Sequence, residues 1–76
     1  MYKELVESVV KRLVEKPQSV NISVGQEADK EIIQITVDVQ DRGRVIGKEG
    51  QTIRAIRMMI GALVPRGKEI QVIIVE

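Results

Sequence analysis

Residues Arg44-Val45-Ile46-Gly47-Lys48-Glu49-Gly50-Gln51-Thr52-Ile53 set two glycines three positions apart between two helix-forming runs. Arg42 to Ile46 reads as a short helical turn. Gln51 to Val64 reads as a longer helix, with Ile53, Ile56, Ile60 and Leu63 on one face and Pro65 and Gly67 as its stop signal. Glycine at the two corners lets the chain take backbone angles barred to larger residues, and lets a ligand's backbone approach without meeting a Cβ. The first amides of the helix after Gly50 are unpaired donors at the positive end of a helix dipole, which suits a phosphate. Taken alone, a G-x-x-G corner occurs between many helix pairs, so its weight comes from its surroundings.

Ahead of the corner, Leu5, Val6, Val9, Val10, Leu13 and Val14 fall on one stripe of an α-helix. Glu7 and Lys11 sit four apart in the favourable order, and Pro17 prevents continuation. Val20, Ile22 and Val24 then alternate with Asn21, Ser23 and Gly25, the period of a half-buried strand. A polar stretch, Gln26 to Lys30, turns the chain. Ile33, Ile35, Val37 and Val39 alternate with Gln34, Thr36 and Asp38, so the pair reads as an antiparallel hairpin with a five-residue loop. Behind the corner, Ile70, Val72 and Ile74 form a strand whose other face, Ile73 and Val75, is also apolar, which suits an interior or parallel position. Gly61 inside the long helix costs about 1 kcal/mol relative to Ala, which calls for a close-packing reason. The order αββααβ makes one α+β domain over residues 1–76, a layer of helices on a three-stranded sheet.

Composition removes most other functions. Of 76 residues none is His or Cys, so an imidazole acid/base, a thiolate nucleophile, a disulfide framework and the commonest metal ligands are missing; no cofactor or metal is expected. The longest apolar stretch, Met58 to Val64, is far short of the ~20 residues that span a bilayer, and charges recur from Lys3 onward, so neither a membrane span nor a signal peptide is expected and the address is cytoplasmic. Asn21-Ile22-Ser23 fits a glycosylation acceptor but reads better as strand. A P-loop needs G-x-x-x-x-G-K-[ST], whereas Gly43-Arg44-Val45-Ile46-Gly47-Lys48 is one residue short and continues with Glu49. Asp38 and Asp41, or Glu27, Asp29 and Glu31, read as solvated turn carboxylates rather than acid/base pairs, and the chain is not expected to be an enzyme.

The net charge of +1 is unevenly laid out. Between residues 42 and 68 seven cations, Arg42, Arg44, Lys48, Arg54, Arg57, Arg66 and Lys68, face the single acid Glu49, a segment charge of +6 that leaves −5 for the remainder. Such asymmetry fits one surface built to meet a polyanion. Tyr2 is the sole aromatic residue, so a platform that stacks bases on aromatic rings is excluded and any nucleic acid must be held by backbone, aliphatic and basic groups.

At Val45-Ile46-Gly47-Lys48-Glu49-Gly50-x-x-Ile53 the sequence resembles the KH domain, whose signature is V-I-G-x-x-G-x-x-I, and the αββααβ order resembles its type II arrangement. The resemblance covers essentially the whole chain and extends to the bacterial KhpA-type family of single-domain RNA-binding proteins. It implies a three-stranded mixed sheet with three helices on one face, and single-stranded RNA as partner, its backbone clamped over about four nucleotides by the loop and its bases in an aliphatic groove alongside. Carried onto this chain, Gly47, Lys48, Glu49 and Gly50 are the clamp, Val45, Ile46 and Ile53 the groove wall, and Arg42, Arg44, Arg54 and Arg57 the basic flank; Gly43, Gln51 and Thr52 complete the RNA-binding segment. The same resemblance implies an RNA chaperone or post-transcriptional regulator, acting as a homodimer or as a heterodimer with a larger Jag-type KH protein. Glu49 departs from the basic or neutral residue common at that loop position.

With Ile53, Ile56, Ile60 and Leu63 facing the sheet, Ala55, Met58, Met59 and Ala62 are left toward solvent as a low-relief stripe, a candidate interface for a partner helix. An assembly module with only secondary RNA contact is the alternative reading.

Overall fold

Apolar residues at helical spacing from Leu5 onward bury one stripe and leave the charged side to water, and that amphipathic run is helix α1, Tyr2–Leu13, the first element of the computed structural model, which describes residues 2–65 and 67–75. A 3-10 turn at Pro17–Ser19 leads into strand β1 (Asn21–Glu27) and then β2 (Lys30–Thr36). A second 3-10 turn, Val39–Asp41, precedes helix α2 (Arg42–Ile46); the glycine corner follows, then helix α3 (Gln51–Leu63) and strand β3 (Glu69–Ile74). The αββααβ order and the mixed sheet are as expected. β2 is central, antiparallel to β1 and parallel to β3.

The register carries the core. Ile22 pairs with Ile35, Ile33 with Val72 and Ile35 with Ile74, so these side chains share the face that the helices cover. Val6 and Val10 of α1, Val45 of α2 and Ile53, Ile56 and Ile60 of α3 pack onto them, with Val37 closing one end. Each fully buried aliphatic contributes on the order of 2 kcal/mol.

Several sequence expectations are corrected. The hairpin turn is two residues, Ala28 and Asp29, because the ladder extends through Gln26 opposite Glu31 and Glu27 opposite Lys30; polar residues are tolerated there because the outer half of β1 is exposed, Val24 included. β2 stops at Thr36, where Asp38 accepts a hydrogen bond from the Gln40 amide (2.9 Å) and starts the 3-10 turn that leaves Val39 in solvent. β3 is parallel, as its two apolar faces suggested, but lies at the sheet edge. Leu63 is 53% exposed, because α3 ends there and Val64 turns extended. The Tyr2 hydroxyl donates to the Leu63 carbonyl (3.1 Å) and so covers one open end of α3. Gly61 has no atom within 4 Å of where a Cβ would stand, so no packing within the chain requires it.

Candidate nucleic-acid interface

The glycine corner is built by backbone angles that its residues are chosen to tolerate. Gly47 has φ 78° and ψ 169°, and Gly50 has φ 75° and ψ 17°. A Cβ on Gly47 would stand 2.7 Å from Thr52 Cβ and amide nitrogen, so both torsion and space demand glycine; around Gly50 the space is open and only the torsion does. Between them Glu49 is held left-handed at φ 57°, ψ 27°. The Gly47 amide donates to Gly43 O (2.8 Å) and the Gly50 amide to Gly47 O (3.1 Å), so the loop is a hydrogen-bonded turn that presents Lys48 and Glu49 to solvent. α3 starts at Gln51 with Gly50 as its cap and no side chain covering its first amides.

Beside this loop lies a cleft of about 530 Å³ lined by Arg42, Ile46, Ile53, Arg57, Ile73 and Ile74. Of the expected groove wall, Ile46 reaches it, 39% exposed, and Ile53 lends an edge while remaining mainly core. Val45 does not: it is fully buried against α1 and the sheet, since adjacent residues of a helix point about 100° apart. The sequence reading missed Ile73 and Ile74 as cleft residues: Ile74 lies on the core face of β3 that the Ile70, Val72, Ile74 alternation marks, whereas Ile73 borders the cleft from the strand edge with its side chain on the other face.

The cations divide into paired and unpaired. Arg44, expected at the basic flank, forms ion pairs with Glu15 and with Asp41 (3.3 Å), and so is committed to holding α2 against the end of α1. Asp41 is itself a correction: it is not a solvated turn acid but 2% exposed, and its two carboxylate oxygens accept from the Glu15 and Lys16 amides at 3.1 Å each. That anchor fixes the chain at the point where α2, the corner and the cleft begin. By contrast, among the described residues Arg42, Lys48, Arg54 and Arg57 have no carboxylate within ion-pair distance. Arg54 donates weakly to the Glu49 carbonyl (3.4 Å) and Arg57 donates to the Val72 carbonyl at the free edge of β3 (3.0 Å), contacts that position both while leaving their charge uncompensated. Arg66 lies outside the described residues. Gly43 and Gln51 are exposed on either side of the corner, and Thr52 is half-buried against Gly47.

Elsewhere among the described residues, Lys3 and Arg12 of α1 are likewise without a carboxylate at ion-pair distance, while the hairpin tip is matched. A depression at the hairpin tip is lined by Asp29, Lys30, Glu31 and Lys68, where Lys68 meets Glu31 (3.8 Å) and Lys30 meets Glu69 (3.5 Å). Among the described residues no group of three or more acids is placed to hold a metal ion, and no helix is long and apolar enough to cross a membrane. On α3, Met58 is 70% exposed and Ala55, Gly61 and Ala62 are exposed beside it, whereas Met59 is half-buried against the core.

The family model for the KhpA/KhpB KH domain matches residues 3–75. Similar proteins include the RNA-binding protein KhpA of Thermotoga maritima, 36% identical over 73 residues, which cover 96% of this chain and 97% of that one. The RNA-binding protein KhpA of Chlamydia trachomatis is 41% identical over 64 residues, 84% of this chain and 82% of that one. The Streptomyces coelicolor protein of the same name is 32% identical over 76 residues, 100% of this chain and 96% of that one. Among solved structures, the fold resembles part of Era in complex with MgGDPNP and nucleotides 1506-1542 of 16S ribosomal RNA, with TM-score 0.59 and 23% identity; the likeness covers 97% of this chain and 30% of that one.

Proposed function

The chain belongs to the KhpA/KhpB family of KH domains, and on that premise we propose that it binds single-stranded RNA without catalysing a reaction. The observation that carries this reading is the aliphatic cleft opening beside the Gly47–Gly50 corner, rimmed by cations that no acid neutralises. Phosphates of about four nucleotides run along the corner, where both glycines keep the backbone bare and the first amides of α3, Lys48 and Arg54 supply donors. Bases leave the backbone on the cleft side and lie against Ile46, Ile53 and Ile74, the aliphatic substitute for aromatic stacking. Glu49 opposes the phosphates, so one domain binds with a dissociation constant of about a micromolar or weaker, and a second domain on the same strand raises affinity through effective concentration. The relatives named RNA-binding protein KhpA support the same reading.

The second domain is a copy of this chain or a larger Jag-type KH protein, joined along the Ala55, Met58, Ala62 stripe of α3, with Met59 contributing only its exposed edge. That pairing makes the protein a cytoplasmic RNA chaperone or post-transcriptional regulator. An assembly module with secondary RNA contact is favoured instead by one observation, the exposure of Met58 in mid-helix and of Leu63 at the end of α3.

Mapping amide and methyl chemical shifts during titration with a single-stranded decamer tests the site. Shifts confined to residues 47–54 and to the Ile46 and Ile74 methyls support it. Shifts on the open face of β1 instead reject it.

A further inference from the structure

The cleft holds one side chain whose hydrogen-bonding state nothing within the chain accounts for. Arg42 opens α2, and its guanidinium stem lies along the cleft among Ile46, Ile53, Ile73 and Ile74. Its Nε is buried and has no hydrogen-bond partner. The other arginines nearby have acceptors: Arg44 has Glu15 and Asp41, Arg54 has the Glu49 carbonyl and Arg57 has the Val72 carbonyl. A buried N–H left without an acceptor is costly, so a ligand that draws the Arg42 stem aside and brings an acceptor recovers that cost in the bond it forms.

Resting on the single-stranded RNA reading, we infer that Arg42 selects the base held in the cleft, preferring one that presents two adjacent acceptors. A guanidinium offers only donors, in a rigid fork that meets two neighbouring acceptors at once. Cytosine provides such a pair at O2 and N3, and guanine at O6 and N7. Uracil places its N3–H between its two carbonyls and adenine places an amino group beside its ring nitrogens, so each turns a donor toward a donor. A phosphate is the poorer occupant, because Ile46, Ile53 and Ile74 line this space and would strip its hydration without replacing it, whereas a planar base lies against them at little cost.

Binding of cytidine, uridine and adenosine decamers to the full chain, read by fluorescence anisotropy at two salt concentrations, tests the inference. The chain is expected to prefer the cytidine decamer by roughly tenfold, the discrimination of a bidentate arginine contact. Arg42→Gln, and Arg42→Lys, which keeps the charge and the aliphatic stem but not the fork, should each bring that preference to about one. Equal binding of the three decamers by the unaltered chain overturns the inference while leaving RNA binding intact. So does an Arg42→Gln that weakens all three alike, keeps their ratio and flattens the salt slope by about 0.7, the mark of a phosphate contact. Failure of every decamer to bind at low salt rejects the inference together with the RNA reading beneath it.

Discussion

The two glycines of the corner look equivalent in sequence and differ in structure, so Gly47→Ala and Gly50→Ala make an internally controlled pair. Gly47 sits at φ 78°, ψ 169°, a region essentially closed to residues with a Cβ, which costs about 1–3 kcal/mol. The added methyl would also stand 2.7 Å from Thr52 Cβ and amide nitrogen, both on the rigid first turn of α3, so the helix must shift. Together these place Gly47→Ala at about 3 kcal/mol of lost stability or more, with overpacking alone worth ~1–3 kcal/mol. Gly50 sits at φ 75°, ψ 17° with nothing within 4 Å of a Cβ, so Gly50→Ala meets only the left-handed torsion, roughly 1–2 kcal/mol. In a domain of this size each kcal/mol moves the thermal midpoint by about 4–8 °C, which predicts a fall near 15–20 °C for the first variant and roughly half that or less for the second. Urea and thermal unfolding followed by circular dichroism read both. Equal losses, or a larger loss at Gly50, refute the assignment of the steric contact to Gly47 alone.

Asp41→Ala leaves the Glu15 and Lys16 amides without acceptors, while half-exposed Arg44 stays solvated, so unfolding should be easier by about 2–4 kcal/mol; a loss below 1 kcal/mol in urea melts would mean water replaces the carboxylate. Gly61→Ala adds a methyl to open space in mid-helix and should raise stability by up to ~1 kcal/mol; if instead the methyl meets a partner helix, stability falls and the concentration dependence shown by the unaltered chain is lost. Met58→Glu puts a charge in the centre of the α3 stripe and should convert a dimer to monomer in sedimentation; a chain already monomeric at high micromolar concentration, or a dimer indifferent to the change, removes that interface.

How far sequence alone reached depended on whether a signal was local. Period 3.6 in α1 and α3, period 2 in β2 and the paired glycines are all short-range, and they placed every main element. The hairpin was misread because Gln26, Glu27, Lys30 and Glu31 look like loop residues, yet an edge ladder open to water accepts them. Asp41 was misread because what satisfies it, the amides of Glu15 and Lys16, lies some 25 residues away in sequence and is visible only once α1 and α2 meet. The site was legible as a segment and not as a surface. Lys48, Gly47 and Gly50 were found where the cleft begins, but Val45 and Arg44 turn into the core and toward Glu15, and Ile73 and Ile74 come to the cleft only through the parallel pairing of β3 with β2. Charge counting could not separate the matched cations from the unmatched ones either, because pairing depends on which acid each meets in three dimensions.

The most direct measurement is the affinity for a single-stranded RNA decamer as salt is varied, in the unaltered chain and in the Lys48→Asp, Glu49→Asp double variant. With Arg42 turned to the base in the cleft, Lys48, Arg54 and Arg57 are the unpaired cations beside the corner that meet phosphates, and three such contacts at ~0.7 each predict that log K falls with log salt at a slope near −2. The double variant turns Lys48 into an acid beside the one already present, and both positions are exposed, so binding should fall below detection while the thermal transition stays in place. Binding that persists unchanged in the double variant, or a slope indistinguishable from zero in the unaltered chain, contradicts RNA recognition at this corner.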